Sequence, residues 1–111
     1  MLRRLSNYTG NTPLIPITIG NLTVWGKAEF MNPSGSVKDR MATYILNDAE
    51  KRGLIKQGDT LIEATSGNTG IAFAMLAAER GYIMKVVMPS NMSEERKRML
   101  KFYGAGLIEV D

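Results

Sequence analysis

Cysteine and histidine are both absent from this sequence of 111 residues. Without cysteine there is no disulfide framework, no thiolate nucleophile and no thiolate metal site. Without histidine the commonest general base and the commonest metal ligand are missing. Any catalysis must therefore run on lysine, carboxylates, hydroxyls or a cofactor, and no metal site is expected. Long hydrophobic runs are lacking too. The longest, Ile71 to Ala78, is a helix core far short of a bilayer span. The opening Met1-Leu2-Arg3-Arg4-Leu5-Ser6-Asn7 is basic but leads to polar residues, Pro13 and Pro16, not to the apolar centre of a secretory leader. A cytoplasmic protein with no membrane partner is the expectation.

Neither sign of charge dominates, since 14 basic residues face 11 acidic ones for a net +3. The densest basic cluster, Arg96, Lys97, Arg98 and Lys101, falls on an expected helix whose first turn carries Glu94 and Glu95. Nucleic-acid binding calls for a basic stripe interleaved with aromatics or a known motif. Neither is present, so no nucleic-acid partner is expected and the cluster reads as a solvated helix face. What the chain does have is core material: 44% hydrophobic and 23% charged residues, in a length that suits one domain.

The pattern alternates along the chain. Leu22 to Phe30 reads as a strand, broken by Asn32-Pro33-Ser34-Gly35. A helix follows from Ser36, with Val37, Met41, Tyr44, Ile45 and Ala49 on one face. Ser36 and Asp39 form a candidate capping box, and Lys51, Arg52 and Gly53 close the helix. Thr60 to Ala64 is the next strand. The turn Thr65 to Gly70 leads into a helix from Ile71 to Arg80, stopped by Gly81 and apolar nearly all round, as burial between two layers requires. Strand Ile83 to Met88, a helix from Ser93 to Tyr103 ended by Gly104, and a final strand-like run from Gly106 to Asp111 complete the series. Successive βαβ units predict a single α/β region over residues 1–111: a three-layer fold with a parallel sheet and helices on both faces. A parallel strand ordinarily leads into a covering helix, so the pattern reads as cut, not finished.

Two stretches carry chemistry. The first, Asn32 to Arg40, places Lys38 in the opening turn of a helix. The positive end of the helix dipole disfavours a second positive charge there, and burial would act the same way, so both favour the neutral amine. A neutral amine is what bonding to an aldehyde cofactor requires. Spacing alone favours a surface lysine beside Asp39 and Arg40. The second, Glu63 to Gly70, leaves the C-terminal end of a parallel strand and enters a helix, which is where open α/β sheets bind ligands. Its amides, the helix dipole and the hydroxyls of Thr65, Ser66 and Thr69 suit a phosphate or a carboxylate. Its glycines equally suit plain close packing. The G-x-x-G spacing matches neither the dinucleotide fingerprint nor a Walker loop.

Together, Asn-Pro-Ser-Gly-Ser-Val-Lys-Asp-Arg at 32–40 and Glu-Ala-Thr-Ser-Gly-Asn-Thr-Gly at 63–70 resemble the lysine motif and the asparagine loop of the cysteine synthase (O-acetylserine sulfhydrylase) family. Thr9-Gly10-Asn11-Thr12-Pro13-Leu14, Ala49-Glu50-Lys51-Arg52-Gly53 and Met88-Pro89 before Met92-Ser93-Glu94-Glu95-Arg96 follow in that family's order. The wording is nearest to the cysteine synthase B type, and cystathionine β-synthase shares much of it. The resemblance implies the N-terminal portion of a fold-type II, tryptophan synthase β-like enzyme whose cofactor is pyridoxal 5'-phosphate. It implies that Lys38 binds the cofactor covalently and later removes the substrate's α-proton. Asn68 would hydrogen-bond the cofactor's ring hydroxyl oxygen, and Thr65, Ser66, Asn68 and Thr69 would hold the substrate carboxylate.

The implied reaction is β-replacement, making cysteine from an O-activated serine such as O-acetylserine and sulfide or a related sulfur donor. The implied partners are an amino-acid substrate, the sulfur donor and a second subunit in a homodimer. A cystathionine β-synthase-like enzyme, a serine/threonine dehydratase and an inactive truncated module are the competing expectations. The family's Gly/Thr-rich phosphate loop, the hydroxyl residue beside the pyridine nitrogen and the C-terminal domain have no counterpart in these 111 residues. The polypeptide alone is therefore expected to be weakly active or inactive.

Overall fold

The computed structural model describes residues 4–111; the first three residues of the basic start lie outside the described residues. Two consecutive βαβ units dominate. Strand β3 (Thr60–Ala64), helix α2 (Asn68–Arg80), strand β4 (Ile83–Pro89), helix α3 (Glu94–Phe102) and strand β5 (Gly106–Val110) make a parallel sheet in the order β3-β4-β5. Leu61 pairs with Met84 and Glu63 with Val86, and Val86 pairs in turn with Leu107. The two-residue period of a strand then sends Met84, Val86 and Met88 into the core and leaves Ile83, Lys85 and Pro89 exposed.

Leu46 of helix α1 (Lys38–Lys51), Leu76 of α2 and Leu100 of α3 all enter that same core. The helices thus stand on one face of the sheet. The expectation of helices on both faces is met on that face alone among the described residues, and Ile62, Ile83 and Ile108 on the other are exposed. Connection handedness explains this. Both crossovers advance across the sheet in the same direction, so right-handed connections set α2 and α3 on the same side.

Helix α2 is the centre of the core, buried from Gly70 to Ala77 between the sheet and α1, as its all-round apolar composition requires. Burial of Leu76 and Leu100 contributes roughly 1.5–3 kcal/mol each. At Gly70 the packing is tightest. A Cβ there would lie 2.6 Å from Thr65 Cγ2 and 3.3 Å from Val86 Cγ1. The close-packing role of the turn's glycines is real at this position.

Other expectations need correction. A hairpin precedes the sheet: β1 (Leu14–Ile19) pairs antiparallel with β2 (Leu22–Lys27) across Gly20-Asn21. Its first strand was legible in the alternation of Ile15, Ile17 and Ile19, and Pro16 is tolerated because the strand has an unpaired edge. The expected strand to Phe30 stops at Lys27, and Glu29–Met31 form a single 3-10 turn. Helix α1 starts at Lys38, not Ser36, and it buries Asp39, Ala42 and Leu46. The larger apolar residues Met41, Tyr44 and Ile45 are exposed. Small Ala42 allows close approach to the alanine-rich α2, and that approach selects the face. The expected glycines do follow both helices in the left-handed conformation, Gly53 after the Arg52 cap of α1 and Gly81 as the cap of α2.

Candidate active site

Lys38 is the first residue of α1, exposed, at the end of a loop with little freedom of its own. Asn32 accepts at its carbonyl from the Gly35 amide at 2.9 Å. Ser34 donates its amide to Asp39 Oδ2 at 2.6 Å and its hydroxyl to Asp39 Oδ1. The Ser36 hydroxyl accepts from the Lys38 amide at 3.2 Å. The expected capping box does not form: the Ser36 hydroxyl takes the Lys38 amide and not that of Asp39, and the Asp39 carboxylate turns back to Ser34. Asp39 is fully buried, and a carboxylate there is tolerable because both oxygens accept hydrogen bonds. The amine of Lys38 makes no hydrogen bond or ion pair among the described residues. The exposed position means that burial, half of the reason to expect a neutral amine, is not supplied by the residues present.

A second network braces the same loop. Glu29 accepts from Arg40 Nε at 2.8 Å and Arg40 Nη2 at 3.0 Å, a two-pronged pair, and also from the Thr12 hydroxyl. Asn32, itself buried, donates to the Glu29 carboxylate at 3.0 Å and accepts from the Gly10 amide at 2.8 Å. These bonds join the Thr9-Gly10-Asn11-Thr12 stretch, the start of the lysine loop and α1. Arg40 first and Thr12 next hold the Glu29 carboxyl far down, at about 2, because each hydrogen bond favours the ionised form.

The second motif closes β3 and opens α2. Thr65 is held by its amide donating to the Val87 carbonyl at 3.0 Å, and its hydroxyl accepts from the Gly67 amide at 3.2 Å. Helix α2 starts at Asn68, three residues earlier than the apolar pattern suggested, so Asn68 and Thr69 lie in its first turn. Thr65 and Thr69 are half-buried, Ser66 and Asn68 exposed. First-turn amides have no partner within a helix, so this end presents donors with hydroxyls around them, a donor set for a carboxylate. The motif residues are contiguous here, and no hydrogen bond joins them to Lys38 among the described residues.

Three contributors were missed in the sequence. Asp39 was read as a weak cap and Glu29 as part of a strand. Arg96 was assigned to a solvated basic face, but it is half-buried and its Nη1 donates to the Ser66 carbonyl. Its neighbour Lys97 donates to Glu109 at 2.9 Å and to the Ser90 carbonyl at 2.8 Å, and Glu109 raises its pKa. The cluster is thus partly folded into the structure. The available clue was Ser93: a cap at that position, whose hydroxyl accepts the Arg96 amide, places Arg96 in the first turn beside the ends of the parallel strands.

Comparison with known proteins gives a consistent picture. The family model described as pyridoxal-phosphate dependent enzyme matches residues 5–111. The chain is 54% identical to cysteine synthase B of Salmonella typhimurium over 98% of its own length and 37% of that protein. It is 56% identical to cysteine synthase B of Escherichia coli over 96% of its length and 36% of that protein. Among solved structures, an O-ureido-L-serine synthase matches with a TM-score of 0.93 at 42% identity, covering 99% of this chain and 36% of that one. A hydrogen sulfide-producing enzyme from Fusobacterium nucleatum also matches with a TM-score of 0.93 at 42% identity, over 100% of this chain and 38% of that one. The chain spans about a third of the length of the curated relatives it matches.

Proposed function

Because this chain belongs to the pyridoxal-phosphate dependent enzyme family, we propose that in its full-length setting it forms the lysine-bearing part of a cysteine synthase. The reaction is β-replacement, joining sulfide or a related sulfur donor to the β-carbon of an O-activated serine, with O-acetylserine the expected substrate. The observation that supports it most is the lysine loop. Lys38 opens α1 with an uncommitted amine, on a backbone fixed by buried Asp39 and the Glu29–Arg40 pair. A reactive group needs such a rigid mount.

The fit to the cofactor rests on chemistry present in the chain: a free amine for an aldehyde, and a donor-rich turn for a carboxylate. When bound, pyridoxal phosphate supplies an electron sink that spreads negative charge from the substrate's α-carbon over a conjugated ring. Lys38 would hold the cofactor through its amine and, once the substrate's own amine has displaced it, would take the α-proton. Asn68 would orient the ring by a hydrogen bond to its hydroxyl oxygen. Thr65, Ser66, Asn68 and Thr69 hold the substrate carboxylate and so set which hydrogen faces Lys38. A homodimer in the cytoplasm accords with this reading. The similarity to an O-ureido-L-serine synthase favours one variant: the same start with a different nucleophile, its choice set by residues outside this chain.

The test is Lys38→Ala in the full-length protein. The expected result is loss of the visible absorbance of lysine-bound cofactor and of borohydride labelling at this peptide. Cysteine formation should fall by roughly a hundredfold to ten-thousandfold, the span of a lost acid–base group. Retained labelling and turnover would refute the assignment. A full-length wild-type protein that takes up no cofactor would instead favour a non-catalytic module.

A further inference from the structure

We propose that Arg96 is a positioning residue for the substrate carboxylate, acting through the Ser66 carbonyl; the role rests on the cysteine synthase reading above. The Ser66–Gly67 peptide is the hinge of the turn. Its carbonyl accepts from Arg96 Nη1 and its N–H donates to the Thr65 hydroxyl. A peptide unit is planar, so fixing its two ends fixes the plane. Gly67 has no side chain to restrict rotation on its other side, and neither Ser66 nor Asn68 supplies a side-chain bond to this peptide. Arg96 therefore fixes the peptide that leads into the amides of Asn68 and Thr69.

The guanidinium is built in. Arg96 stands in the first turn of α3, where Ser93 accepts its amide. Its Nη1 lies 3.5 Å from the place a Gly67 Cβ would take, so the group rests directly on the turn. Its neighbours on the helix are engaged differently: Lys97 pairs with Glu94 and Glu109. Among the described residues no carboxylate pairs with Arg96, so its positive charge is not cancelled locally. It adds to the positive end of α2 in attracting an anion to the turn. One residue thus serves both to orient the donors and to attract the carboxylate.

The experiment uses the full-length protein with Arg96→Ala, Arg96→Met and Arg96→Lys. Methionine keeps an unbranched stem but neither donor nor charge; lysine restores both in part. Binding of alanine, which carries the carboxylate but no leaving group, is read from the absorbance of the loaded protein, alongside KM and kcat for O-acetylserine. Hydrogen exchange at residues 64–70 is read in the apoprotein. The expected result is cofactor retention with Kd for alanine and KM raised about tenfold in Ala and Met, kcat less affected, and partial recovery in Lys. Exchange at the turn should quicken in Ala and Met. If Arg96→Ala does not fold, the Met variant decides. A folded Met variant with wild-type alanine affinity and wild-type exchange overturns the role. Failure of the underlying reading looks different: wild-type protein would then hold no cofactor on Lys38, whatever stands at 96.

Discussion

The two helix openings of the site are held in opposite ways. The loop before α1 is closed on itself: Asp39 holds Ser34 by amide and hydroxyl, and Glu29, Arg40, Asn32 and Thr12 brace its start. The turn before α2 has one internal side-chain bond, from Gly67 to Thr65, and one tether from another helix, Arg96. On the function proposed above, the first carries a group whose position must be fixed before any ligand arrives, and the second keeps donors for a ligand to satisfy. Polar residues near a site therefore divide into those whose hydrogen bonds are complete, which make a rigid mount, and those left incomplete, which make a receptor.

The sharpest way to break this contrast is to remove the brace. Asp39→Ala would leave the Ser34 amide and hydroxyl without their partner and empty a fully buried position. The expected loss is about 3 kcal/mol in denaturant unfolding, with cofactor uptake reduced and the turn at 65–69 unaffected. Equal loosening of both regions in hydrogen exchange would refute the division. The mirror-image change is Gly70→Ala. The new methyl would force Thr65 or Val86 aside, and moving Thr65 breaks its bond to the Gly67 amide. Overpacking costs about 1–3 kcal/mol, and alanine's better helix propensity returns up to about 1 kcal/mol. A net destabilisation of roughly 1 kcal/mol is expected. Alanine binding should weaken and cofactor attachment at Lys38 should persist, which the absorbance titration reads directly.

The same division decides what was legible in the sequence. Strands and helices declared themselves through period and breakers, because local chemistry sets them: the α2 run, Gly53, Gly81 and Ser93 all act where they stand. The two motifs were legible in another way: spacing alone left Lys38 a surface lysine and the turn a packing device, and it was their joint resemblance to the cysteine synthase family that singled them out. The face of α1 was not legible. Met41, Tyr44 and Ile45 outweigh Ala42 in hydrophobicity, yet proximity to α2 favours the smaller side chain, and proximity is a tertiary fact. Glu29, Arg40 and Arg96 were hidden for a similar reason. Their partners lie 11 and 30 residues away, and nothing in the local pattern separates a braced charge from a solvated one. The first hairpin strand was a plain omission, since alternating isoleucines before Gly20 and Asn21 are a recognisable signal.

The mildest prediction sets the two regions apart by pH alone. Hydrogen bonds from Arg40 and Thr12 lower the pKa of Glu29 from 4.5 to about 2. A carboxyl with a depressed folded pKa binds protons less readily folded than unfolded. Its contribution is therefore complete above pH 4.5 and is lost as pH falls toward 2. Glu29→Gln removes that titration, so the variant should melt below wild type at neutral pH, and the gap should narrow between pH 4.5 and 2. Taking the difference between the two proteins cancels the carboxyls they share. A gap that stays constant across that window would mean Glu29 braces the loop by shape and not by charge. The turn at 65–69 carries no titratable side chain. Acid should accordingly loosen residues 29–40 before residues 65–69, and hydrogen exchange at pH 3 against pH 6 in the wild-type protein gives the order.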